Sequence, residues 1–414
     1  MRLDESLWDV ADSYDKCADT INKYRYDTNF GGQFVRILPF DLGRAHELYK
    51  ALLAPFEGMI ANKHLLIVPS RSLIGLPFGV LVTEPPNARI PVSPTGYREV
   101  SWLGVRQPLS VLPSVGSLRM LRQFAKAGRA TKTYLGIGNP LLEGPKHGQW
   151  RGYYAQQADV ARSKNCLSPP TLEQQLASFP VRRSVENFKD MFHGSAVDIE
   201  QVRQQIPLPG TADELCEVGR RLGVPTSDII LGPNATEGTL KRLSDEGRLA
   251  DYGIVHFATH GALTGQLTGW SEPGLILTPP AKGTTDPQLL QRDDGYVTAS
   301  EIATLKFDAD WVVLSACYTG ASSGENAEAL SGLARAFFYA GTRALLITHW
   351  DVDSDAAVAL TTRAFAELTS NPDIGRAEAL RISMRELIEK GKPYQAQPSE
   401  WAPFAIVGEG AKRR

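Results

Sequence analysis

Apolar residues along this chain fall into short unbroken runs that alternate with stretches of helical spacing. WVVLSAC (311 to 317) and RALLITHW (343 to 350) are continuous apolar runs, the pattern of parallel strands covered on both faces. Ile254, Val255 and Phe257 in GIVHFATHG make a third such run, and GLILTP from Gly274 and the late FAIVG make two more. Between them, Leu330, Leu333, Ala334, Phe337 and Phe338 recur at helical spacing and predict an amphipathic helix over 327 to 340, ended by Gly341. Ala357, Leu360, Thr361, Ala364, Phe365 and Leu368 mark the next helix, and another spans 376 to 390. Two T-x-x-E capping boxes, Thr211 with Glu214 and Thr298 with Glu301, predict helix starts. From residue 209 onward this order of elements predicts an α/β fold, an open and mostly parallel sheet with helices on both faces.

The first part of the chain is less regular. Helical spacing over Leu42 to Ile60, the run HLLIVPS (64 to 70) and the run TYLGIGNP (133 to 140) predict a first α/β lobe. Residues 141 to 208 mix Pro, Gly and Gln with scattered charge and read as a long insertion, either a plain surface excursion or a regulatory, cleavable segment. Arg182 and Arg183 within it are a candidate processing site, with a solvated loop as the plainer account. The predicted division is 1–40 (role unclear, with the chain readable as a fragment of a longer protein), 41–208 with the insertion, and 209–414.

Composition narrows the function classes. In 414 residues, 44 Lys plus Arg stand against 46 Asp plus Glu, a balance that gives no electrostatic reason to expect nucleic acid or an anionic membrane as partner. No apolar run reaches transmembrane length, and MRLDESLWDV lacks the order of a secretory signal, so the expectation is a cytoplasmic chain. The four cysteines, Cys17, Cys166, Cys216 and Cys317, lack the spacing of a zinc site or the density of a disulfide scaffold. Cys166 and Cys216 read as incidental, with Cys216 on the buried face of a helix.

Candidate chemistry sits at strand ends. His260 and Cys317 each close an apolar run, and in open α/β sheets the functional crevice lies beyond the carboxyl ends of the strands. A thiol needs an imidazole neighbour to become a good nucleophile, and the imidazolium then protonates the leaving amine. The backbone amides of Gly261 and Cys317 are candidates for holding the oxyanion. No Asp or Asn is placed as orienter of His260, which leaves that role to an unidentified backbone carbonyl. His256, four residues before His260, reads as a satisfied structural histidine, and His349 as structural or cleft-lining. No G-x-x-x-x-G-K-[ST] phosphate loop occurs.

VHFATHG, DGYVTASEI, WVVLSAC, ALSGLARAFFYAGTRALLITHWDVD and WAPFAIVG resemble, in that order, the blocks of the CHAT family, caspase-like cysteine peptidases related to separase. LYKALLAPFEGMI, LLIVPSRSLIGLPFGVLV, TYLGIGNPLL and LPGTADELCEV extend the resemblance over residues 40 to 408. It implies a caspase-like fold whose N-terminal lobe is a degenerate, pseudo-peptidase copy, with His260 and Cys317 as the dyad and no metal or cofactor required. It also implies a protein substrate, an activating protein or ligand, and a role in bacterial defence or programmed death with a gasdermin-like target. THWDVDSDA (348 to 356) resembles the separase segment whose acid faces the residue before the cut bond. Asp351 or Asp353 would then favour a basic P1 residue, while helix capping is the alternative for Asp353 and Asp355. The many repeats that precede the peptidase in other family chains find no 34-residue counterpart here. A catalytically silent scaffold that binds a protein through the same fold is the rival function.

Overall fold

The computed structural model describes residues 39–70, 73–118, 130–147, 151–167, 192–193, 196–262, 272–282, 284, 286, 292–315, 327–350, 354–371 and 373–411. Among these run β1 (Leu65–Ile67), β2 (Leu109–Val111), β3 (Lys132–Gly138), β4 (Ile229–Leu231), β5 (Tyr252–Ala258), β6 (Gly261–Ala262), β7 (Gly274–Ile276), β8 (Tyr296–Thr298), β9 (Trp311–Leu314), β10 (Ala344–Thr348) and β11 (Phe404–Gly408). Eight of them form one sheet in the order β1-β2-β11-β10-β9-β5-β3-β4. Every neighbouring pair is parallel except β10 with β11. A second, antiparallel sheet joins β8, β7 and β6.

The unbroken apolar runs are explained by burial on both faces. Along β9, Trp311 and Val313 pack on one side, and Val312 and Leu314 on the other. β10 alternates in the same way, Ala344 and Leu346 against Leu345 and Ile347. The helices that cover these faces are α1 (Leu42–Leu52), α3 (Gly210–Arg221), α4 (Glu237–Asp245), α5 (Ala299–Thr304), α6 (Ala327–Tyr339), α7 (Ser354–Ser370) and α8 (Arg376–Lys390), while α2 (Arg151–Ser163) contributes no residue to either core. Residues of α1, α3, α7 and α8 close the first core, and those of α4, α5 and α6 the second. No helix among the described residues is long and apolar enough to cross a membrane.

The expected boundary at residue 208 does not coincide with a break in the sheet. β2, from before it, is hydrogen-bonded to β11, and β3 lies between β5 and β4. Within the region read as an irregular insertion stand α2, a two-stranded pairing of Phe192–His193 with Ala196–Val197, and a short helix Ile199–Arg203 capped by the Asp198 side chain. These elements escaped the sequence pattern because they are short or, like α2, present few large apolar side chains. Arg182 and Arg183 lie outside the described residues. Cys166 and Cys216 are not incidental: they form a disulfide with Cα atoms 5.2 Å apart.

One capping box forms and the other does not. Thr298 accepts from the Glu301 N–H while Glu301 reaches back to the Thr298 N–H. Thr211, by contrast, lies inside α3, and its hydroxyl donates to the Leu208 carbonyl at 2.7 Å. Glu214 turns inward instead, 4% exposed, with Oε1 3.2 Å from Nε2 of His256. The other ring nitrogen, Nδ1, is 2.9 Å from the Tyr134 hydroxyl. Burial and then the Glu214 charge push the Tyr134 phenol well up, so it keeps its proton and donates to Nδ1. Nε2 therefore carries the proton and lies beside the Glu214 carboxyl at ion-pair distance, but outside hydrogen-bonding geometry, so only the Nδ1 side of the ring meets the expectation of a satisfied structural histidine.

Glu237, in the first turn of α4, is buried beside Lys241 and accepts from the Asp294 N–H at 2.9 Å. Burial is the largest influence and pushes its carboxyl from 4.5 up to about 8, with Lys241 opposing and Asp294 and Glu301 adding to the rise.

Two predictions follow from these buried groups. Glu214→Ala removes the carboxyl that stands 3.2 Å from a buried imidazole nitrogen and opens a void beside it, and should lower unfolding stability by about 3 kcal/mol in urea melts. Glu237 binds its proton more tightly folded than unfolded, so the stability it contributes is fully present below pH 4.5 and is lost as pH rises to about 8. The stability difference between wild type and Glu237→Gln, measured across that window, should shift steadily against the wild type and level off above it.

Candidate active site

Two adjacent parallel strands, β5 and β9, end at the same edge of the sheet, where His260 stands. Leu314 of β9 pairs with Phe257 of β5, and the Ser315 N–H donates to the Phe257 carbonyl at 3.0 Å. Neighbouring strands run about 4.8 Å apart. The chain after β5 passes Thr259 to His260, and β9, parallel to β5, reaches the same edge of the sheet at Ser315. Cys317 itself lies outside the described residues, as do Asp351 and Asp353.

The end of β5 is pinned by β7. The Thr259 hydroxyl donates to the Ile276 carbonyl, and the Ile276 N–H donates to the His260 carbonyl at 2.9 Å. That second bond makes the facing residues Gly261 and Leu275 a non-hydrogen-bonded antiparallel pair, which turns the Gly261 N–H away from β7.

The His260 side chain is fully buried, and its Nε2 lies 2.7 Å from the carbonyl oxygen of Ile206. A carbonyl can only accept, so Nε2 carries the proton and Nδ1 is the basic nitrogen. Among the described contacts, the main-chain carbonyl that meets the His260 ring is that of Ile206. A main-chain acceptor has no side-chain signature, and only the fold brings residue 206 to residue 260. Its neighbours are themselves held: the Glu143 N–H donates to the Arg203 carbonyl at 2.7 Å and the Gly144 N–H to the Gln205 carbonyl at 3.0 Å.

The rest of the rim is described in part. β10 leaves the sheet on the same side as β9, to which it is parallel. His349, just beyond it, is buried, with its N–H donating to the Pro403 carbonyl at 2.9 Å. Its ring lines an apolar recess of about 40 Å³ with Met384, Trp401 and Phe404, which gives it a structural setting. The Trp350 indole N–H donates to the Ser399 carbonyl at 3.1 Å. Asp355 stands in the first turn of α7 and pairs with Lys392 at 2.8 Å, the position of a helix-start acid. Among the described residues, no three His, Cys, Asp or Glu side chains are grouped to hold a metal ion.

The CHAT domain family matches residues 42–409. Tetratricopeptide repeat protein 28 of Mus musculus is 25% identical over 234 residues, and that of Homo sapiens 24% over the same length. Each alignment takes in 50% of this chain and 9% of the relative, so this chain corresponds to a small part of those proteins. Among solved structures, the Arg specific cysteine proteinase gingipain R is similar with a TM-score of 0.36 and 10% identity, over 89% of this chain and 67% of that one. With the family match spanning most of the chain, this protein belongs to the CHAT domain family.

Proposed function

We propose that this protein is a cysteine endopeptidase in which Cys317 is the nucleophile and His260 its base. The observation that carries the reading is the buried His260 ring, held by the Ile206 carbonyl so that Nδ1 is basic, at the end of the strand beside the one leading to Cys317. Nδ1 takes the Cys317 proton, and the thiolate attacks the peptide carbonyl carbon. The resulting oxyanion is held by the N–H groups of Gly261 and Cys317. The His260 imidazolium then protonates the leaving amine, and the C–N bond breaks to leave a thioester. Water, deprotonated by His260, attacks the thioester and releases the acid and the free thiol. None of these steps calls for a cofactor.

The basic P1 preference is part of the proposal. With Asp355 paired to Lys392, the acids left to face a P1 side chain are Asp351 and Asp353, and Asp351 lies nearer the end of β10. A carboxylate there would receive Arg or Lys through charge-assisted hydrogen bonds. A role in bacterial defence or programmed death, with few protein targets, rests on family likeness alone.

Incubation of the wild-type chain with a cell lysate, followed by sequencing of new protein N-termini, should reveal cuts that Cys317→Ala and His260→Ala each reduce by about a thousandfold or more. Wild-type cuts that persist in Cys317→Ala, or the absence of any wild-type cut, would favour the scaffold function instead. Asp351→Asn should lower cleavage after Arg and Lys by on the order of tenfold to a hundredfold relative to cleavage after uncharged residues. Uncharged P1 residues at the wild-type cuts would remove Asp351 from that role.

A further inference from the structure

The strand that ends in His260 belongs to the core, but the carbonyl that orients it does not. Ile206 lies in a short lead-in between the helix Ile199–Arg203 and α3, and α2 holds that lead-in from two directions. At one end of α2, Tyr154 packs against Gly144 so closely that a Cβ added at Gly144 would lie 2.5 Å from the Tyr154 Cβ. The Gly144 N–H in turn holds the Gln205 carbonyl, one residue before Ile206. Beyond the other end of α2, Lys164 pairs with Asp213, and Cys166 is joined to Cys216, both on α3. Asn139 ties the two helices further, its side-chain amide donating to the Ala161 carbonyl at 2.9 Å and its N–H to the Thr211 hydroxyl at 3.0 Å. That hydroxyl donates to the carbonyl of Leu208, two residues after Ile206.

α2 has little apolar anchorage of its own. Its buried residues are Tyr154, Gln157, Ala158 and Ala161, and none of them belongs to the two large cores on the sheet faces. Polar ties and one covalent bond therefore carry much of its attachment. Both cysteines of that bond are partly exposed, within reach of a soluble thiol.

We propose that Cys166–Cys216 is a redox-controlled tether that sets the Ile206 lead-in and, through it, the orientation of His260. A dithiol reductant supplies two electrons and two protons, the S–S bond breaks to two thiols, and the reductant leaves as its own disulfide. In a reducing compartment the tether is open, and exchange with a small-molecule disulfide closes it, the two thiols giving up two electrons and two protons to that disulfide, which leaves as two thiols. α2 then clamps the lead-in, and His260 is fixed in the tautomer with basic Nδ1. The consequence for catalysis rests on the peptidase reading, whereas the tether itself does not.

Hydrogen exchange on the full chain carrying Cys317→Ala separates the two. Reduction with dithiothreitol should speed exchange in α2 and in residues 203–208 by on the order of tenfold, while β9 and β10 stay unchanged. With Cys166→Ser and Cys216→Ser added, the chain should match the reduced form and ignore dithiothreitol. Equal exchange in the oxidised and reduced forms, or Cys166 and Cys216 labelling as free thiols after air oxidation, would overturn the tether. In chains that retain Cys317, its alkylation by iodoacetamide should differ between the oxidised chain and the one carrying Cys166→Ser and Cys216→Ser. Alkylation at the rate of free cysteine in both forms, with exchange still responding, would sink the peptidase reading and leave the tether standing.

Discussion

The parallel register of β5 and β9 is the constraint on which the candidate site depends. Leu314 beside Phe257 fixes how far each chain has travelled when it leaves the sheet, and a slip of one residue would exchange every core-facing side chain of β9 between the two faces. Because the alternating residues of β9 are buried in two separate cores, such a slip is opposed on both sides at once. The same packing that stabilises the sheet therefore sets the edge at which His260 emerges.

Beyond the sheet edge, polar geometry takes over from apolar packing. Thr259 and the His260 carbonyl are pinned to Ile276, and the ring is held by Ile206. Below it, on the same strand, His256 is locked between Tyr134 and Glu214. Two histidines four residues apart thus have different surroundings: one stands between a buried phenol and a buried carboxyl, and the other has its Nε2 on a main-chain carbonyl. That difference separates the two histidines better than their spacing does.

The parts of the fold visible in the sequence are those governed by local patterns. The runs at 254–257, 311–314 and 344–348 read as doubly buried strands because both faces of each are covered, and Thr298 with Glu301 caps a helix as its spacing predicts. Thr211 with Glu214 carries the same spacing, yet Glu214 serves a buried histidine, because tertiary pairing outweighs a surface cap worth about 1 kcal/mol. The placement of β3 between β5 and β4, the bond between Cys166 and Cys216 and the Ile206 carbonyl are long-range pairings with no local signature. His260 stands out as a candidate because a strand end followed by glycine is a local pattern, whereas the carbonyl that its ring meets has no such pattern.

The account stands or falls on whether His260 activates Cys317. The most direct measurement is the pH dependence of Cys317 alkylation in the wild type and in His260→Ala. An activated pair predicts alkylation of the wild type at pH values well below the ordinary thiol pKa of about 8.5, with His260→Ala returning the profile to that value. Identical profiles in the two proteins would contradict it.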